Sequence, residues 1–235
     1  MKLSHLETNN RKFSDSHGHY YVLDYLSNAD FDPQTAYYMD KADKHRRQLV
    51  LEFSGNNQAA IQQGNMQWMA GRIHPESGIQ GMSDLLGKAV KNTVAKPQKS
   101  KPIYGGIGLM ALKPTLDHIL FFEGSEWGIG GIGIKDEVFL ACDGTLQSRP
   151  TKPQNTVNDP EYTLILYGSG TIAVKCPVQR EELAEVTLNG DELRISEAKA
   201  ICWSGSLETA TTTSTEGKVL VLRGSGKVLY YPASI

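Results

Sequence analysis

The sequence predicts an all-β fold with a duplicated β unit and a single amphipathic helix inserted near residues 83–95. Three observations carry that reading. Most apolar runs are short, rich in valine, isoleucine and aromatics, and bounded by glycine. A Gly-x-Gly strand unit recurs three times. Only one stretch carries an apolar stripe at helical spacing.

In chain order, "HYYVLDYL" (19–26), "RQLVLEF" (47–53) and "QAAIQQGNMQWM" (58–69) read as strands. Between the first two, the polar "SNADFDPQTAYYMDKADKHRR" (27–47) reads as an exposed loop. The helix follows in "GMSDLLGKAVKNTVAKP", where Met82, Leu85, Leu86, Ala89, Val90 and Val94 align on one face. Ser83 suits its N-cap, Asp84 precedes Lys88 by four residues, and Pro97 ends it. "LDHILFF" (116–122), "DEVFLAC" (136–142), "YTLILY" (162–167) and "GKVLVL" (217–222) are further strands. "VTLNGDELRI" (186–195) predicts a hairpin, because Asn189-Gly190 suits a type I′ turn between alternating flanks. The recurring unit is "GIGLMALKP" from Gly106, "GSGTIAVKCP" from Gly168 and "GSGKVLYYP" from Gly224. Each places a tight turn or glycine bulge before a strand that proline ends.

At 235 residues the chain is read as an N-terminal tail (1–14) and one globular β domain (15–235). Two similar subdomains within it are expected to meet near 147–161, the second polar stretch. A formal net charge of -2 predicts no long-range attraction for nucleic acid or anionic membrane. Cys142, Cys176 and Cys202 each sit in or beside an apolar run, which predicts buried reduced thiols and a reducing compartment. "MKLSHLETNNRKFSDS" has no apolar core and no apolar run reaches membrane-spanning length, so the expected location is cytoplasmic.

Gly128, Gly130 and Gly133 in "WGIGGIGIKDEVFLACDG" match the spacing of a dinucleotide-binding turn. That turn needs a following helix to present its amides to pyrophosphate, and "IKDEVFLACDG" has no helical stripe. The glycines are therefore read as an irregular structural loop packing under Trp127. His17 and His19 are two apart and would share a strand face, but no third metal ligand can be named. Asp117 and His118 are adjacent, so a strand would point them to opposite faces. With no GxSxG, HExxH or P-loop either, the expectation is a protein with no catalytic set, no cofactor and no metal. Lys88, Lys91, Lys96, Lys99 and Lys101 form the one candidate surface patch. It reads first as a solvated helix face and second as a contact for anionic lipid or phosphate.

"KPIYGGIGLMALKPTLDHILFFEG…IKDEVFLACDGTLQ", with "AAIQQGNMQWMAG" before it and "ICWSGSLET" and "LVLRGSGKVLYYP" after it, resembles a family of β proteins. That family is named for altered inheritance of mitochondria, and its bacterial members are a domain of unknown function. The resemblance implies a duplicated double-stranded β-helix or β-sandwich, similar to the trp RNA-binding attenuation protein. It also implies assembly through sheet edges. The resulting expectation is a non-enzymatic homo-oligomer that binds or scaffolds, with protein partners or anionic lipid as contacts. RNA is disfavoured as a partner and DNA is excluded. An RNA-binding oligomer and a small-molecule-binding β sandwich or unrecognised enzyme are the alternatives.

Overall fold

The computed structural model describes residues 4–28, 31–42, 44–76, 101–150, 163–196, 199–215 and 217–232. The helix expected at 83–95 lies outside them.

Among the described residues, two antiparallel sheets contain all the strands. The first is built from β1 (Arg11–His17), β2 (Tyr20–Tyr25), β3 (Arg46–Ile61), β4 (Met66–Pro75), β5 (Ile103–Leu112), β6 (His118–Glu123), β8 (Phe139–Asp143) and β11 (Thr171–Cys176). The second holds β7 (Ile132–Lys135), β9 (Gln147–Pro150), β10 (Thr163–Tyr167), β12 (Ala184–Ser196), β13 (Ala200–Ser204), β14 (Glu208–Ser214) and β15 (Gly217–Tyr230). Each sheet contains a six-strand path of the same kind: β4-β5-β3-β8-β11-β6 in the first and β12-β15-β13-β7-β10-β9 in the second. In both, a long glycine-bearing strand stands second from the edge. The Gly106 and Gly224 copies of the repeat lie in these two strands, β5 and β15, whereas Gly168 and Gly170 lie between β10 and β11, which belong to different sheets.

Packing explains why so many strands read as unbroken apolar runs. The central core lies between the sheets and takes Phe122, Phe139, Cys142, Ile172 and Val174 from the first and Ile132, Ile134, Leu164, Leu166 and Leu229 from the second. Each sheet also curls over a core of its own. Leu49, Leu51, Phe53, Met110, Leu112 and Ala173 fill one, and Leu188, Trp203, Leu207, Leu222 and Val228 fill the other. A middle strand such as β11 therefore buries alternate side chains in two different cores, and alternation with polar residues is lost. All three cysteines are free and buried, as expected, and burial pushes the Cys142 and Cys202 thiols well above their ordinary range.

Four local expectations are corrected. Asn189-Gly190 does not turn a hairpin. β12 runs straight through and pairs with β15 from Ala184↔Tyr230 to Ser196↔Val219, with a register shift between Asn189 and Asp191. Gly190 (φ 80°) makes a bulge there instead, next to Gly224 (φ 118°) of β15. A bulge and a type I′ turn make the same demand for positive φ, so only the availability of a long partner strand separates them. Second, the polar segment 27–47 contains a helix, α1 (Pro33–Lys41), that buries none of its residues. Asp32 caps it by accepting from the Thr35 amide at 3.0 Å, and Pro33 supplies the first helical φ. Third, β1 begins at Arg11, inside the expected tail, and pairs with β2 from Arg11↔Tyr25 to His17↔Tyr20. Fourth, strands pair across the segment where the two subdomains were expected to meet. β9 and β10 on either side of 151–162 pair with each other, and β11 beyond them pairs with β8 before them.

Candidate functional site

The second sheet builds its site from one row of side chains. On its outer face, Arg149 of β9 stands beside Ile165 of β10, Ile165 beside Gly133 of β7, and Gly133 beside Trp203 of β13. Residues directly paired across strands share a face, so the four lie in line. The glycine is what makes the row concave. A Cβ at Gly133 would stand 2.5 Å from Trp203 Nε1, so the indole lies on the bare backbone. The glycines at 128–133 were expected to pack under Trp127; Trp127 lies instead in the central core, and the indole over Gly133 is that of Trp203.

A groove of about 1130 Å³ opens over this row. Leu207 closes one side, Glu208 lies at the start of β14, and Ile129 stands on the lip. Ile129 is 104% exposed, an aliphatic side chain touching nothing that shields it. Its loop holds it there by close backbone approach. Gly205 donates to the Gly131 carbonyl at 2.7 Å. A Cβ at Gly130 would meet Ser206 N at 2.7 Å, and one at Gly205 would meet the Gly130 carbonyl at 2.3 Å. The "GIGGIG" run thus clamps its loop against the Gly205-Ser206 turn and leads directly into β7, with no helix to receive a dinucleotide. Arg149 donates to the Gly205 carbonyl at 3.4 Å, and among the described residues neither it nor Glu208 makes an ion pair.

A second polar cluster lies on the first sheet. His17 and His19 flank the β1–β2 turn rather than sharing a strand face, and each meets a different carboxylate. His17 Nε2 is 3.3 Å from Glu123 Oε1, with its ring stacked on Phe121 at 5.7 Å. His19 Nε2 is 3.3 Å from Asp143 Oδ1. Asp143 also accepts from the Tyr20 hydroxyl at 2.9 Å and from the Thr171 amide at 2.8 Å, while the Thr171 hydroxyl donates to Glu123 at 3.1 Å. These bonds tie the N-terminal hairpin to β6, β8 and β11. Among the described residues no three His, Cys, Asp or Glu side chains group as metal ligands. Sequence reasoning found the histidines but not their partners, which lie more than a hundred residues away and show no local signal.

His19 and His118 both hold a proton less readily than free histidine at 6.5. For His19 burial is the main cause, opposed by Asp143 and Glu52. For His118 burial leads, helped by Arg47 and Lys44 and opposed by Asp24 and Asp117. The unfolded chain therefore takes up these protons at higher pH than the folded chain does. Stability from this source is complete above 6.5 and declines as pH falls below it. The urea midpoint is expected to drop between roughly pH 7.5 and 5.5, less steeply in His19→Asn/His118→Asn; a flat wild-type profile would contradict the assignment.

Of the candidate patch, Lys88, Lys91, Lys96 and Lys99 lie outside the described residues. Lys101 does not belong to any surface. It is fully buried, with Nζ 2.5 Å from Asp136 Oδ1 and 5.1 Å over the Phe139 ring. The run of lysines in sequence continues past the point where the chain enters the core. Its aliphatic stem packs inside and the ammonium finds a carboxylate there. Asp117 and His118 are likewise not an acid–base pair: the Asp117 amide bonds Thr115 Oγ1 at 3.1 Å, and His118 opens β6 opposite Cys176.

The profile of a family described as mitochondrial biogenesis AIM24 matches residues 42–233. The chain belongs to this family. A solved structure also has a similar fold. A crystal structure of a Streptococcus pyogenes protein is similar over 95% of this chain and 94% of that one, at 19% identity and a TM-score of 0.58. At that identity the likeness shows the fold alone. No protein of curated function matches the chain. Among the described residues no helix is long and apolar enough to cross a membrane.

Proposed function

We propose that this AIM24-family protein is a non-enzymatic binding and assembly protein, working through the outer face of its second sheet. The observation that carries the reading is Ile129, fully exposed on the lip of a groove floored by Ile165, Trp203 and Leu207. Water around an unshielded aliphatic side chain is released when another surface covers it, so such a residue favours association. The histidine, carboxylate and hydroxyl groups of the first sheet support the same reading. They engage one another as a latch between strands, and the described grooves do not open onto that set. Native mass spectrometry of gently purified protein is expected to show more than one copy per particle or a bound partner mass. A bare monomer would overturn the reading.

A further inference from the structure

We infer that the occupant of this groove is a second copy of the chain, docked about a two-fold axis so that each Ile129 enters the other's groove. The inference rests on the binding and assembly reading and names its partner. Two features of the site make it self-complementary. The first is shape: the lip carries a projecting apolar knob immediately beside a hollow of about 1130 Å³ with an apolar floor. In an isologous contact one surface serves both partners, so a surface must carry knob and hollow together. The second is charge. Arg149 and Glu208 line the same groove from opposite strands, β9 and β14, with no ion pair of their own among the described residues. A two-fold axis brings the Arg149 of one copy toward the Glu208 of the other, twice per dimer. A partner of uniform charge would leave one of the two groups facing a like charge or none.

The loop's construction fits an anchor. Gly130, Gly131 and Gly205 fasten its backbone to the neighbouring turn, so Ile129 is presented without the ordering cost a free loop would incur. Ile129 is also absent from the buried cores, so its replacement is expected to leave folding intact.

The test is analytical ultracentrifugation of full-length wild type, Ile129→Asp, Arg149→Glu, Glu208→Arg and the Arg149→Glu/Glu208→Arg double variant, with thermal melts of each. Wild type is expected to dimerise, and Ile129→Asp to weaken the dimer by about 30-fold or more, with the same melting temperature as wild type at concentrations where both are monomeric. Each charge reversal alone is expected to weaken the dimer, and the double reversal to restore it. Oligomers unaffected by Ile129→Asp would overturn this inference while leaving assembly through another surface. A wild-type particle with one copy and a bound foreign mass would overturn it too, yet leave the binding reading standing. A bare monomer up to about 100 μM would remove both.

Discussion

Replacing Asp136 by alanine is expected to destabilise the fold by about 3–5 kcal/mol, the usual cost of breaking a buried ion pair by removing one member. Lys101 is wholly buried and its ammonium lies 2.5 Å from Asp136 Oδ1. Gln62 also donates to Asp136 Oδ2 at 3.2 Å, so the carboxylate joins the strand end at β3 to the segment leading into β5. Removing the carboxylate takes away the ion pair, and the Phe139 ring beneath the ammonium compensates only part of the lost attraction. Removing both charges, as Lys101→Met/Asp136→Leu, is expected to cost far less, since no unpaired ion remains. Urea unfolding of the two variants decides it. Equal losses in the single and the double variant would show that the pair is packed but electrostatically idle.

Trp203→Ala is expected to cost a comparable amount, about 3–5 kcal/mol, because it empties the largest fully buried side chain from the second sheet's own core. The reason it reaches that size is specific to its neighbour. The indole covers Gly133, and any residue with a Cβ at 133 would collide with it. Gly133→Ala should therefore destabilise wild type strongly but Trp203→Leu much less, a coupling that a double-mutant cycle reads directly. Additive effects would mean that the indole does not rest on that glycine.

The all-β class, the free buried cysteines, the repeated Gly-x-Gly unit and the family resemblance were legible in the chain. Each depends on residue type at short spacing. Apolar β-branched runs demand strands, glycine permits positive φ at a bulge, and a thiol in an apolar run has nowhere to go but a core. Even α1 was readable, since Asp32-Pro33 is a cap followed by a first-turn proline inside a stretch that polarity alone had marked as loop.

What the chain alone did not determine is which strand meets which. Asn189-Gly190 satisfies a turn and a bulge equally, and the choice fell to β15, which offers a continuous partner along all of β12. Lys101 reads as one more lysine in a solvated run until Asp136 is found beside it. Glu123, Asp143 and Thr171 reach His17, His19 and Tyr20 only because antiparallel pairing brings β6, β8 and β11 to the β1–β2 turn. The groove is the clearest case. Arg149, Ile165, Gly133 and Trp203 come from four strands, and nothing in their separate sequence neighbourhoods relates them. Local propensity acts within a few residues, whereas a site requires side chains from distant segments on one face, and only sheet register supplies that.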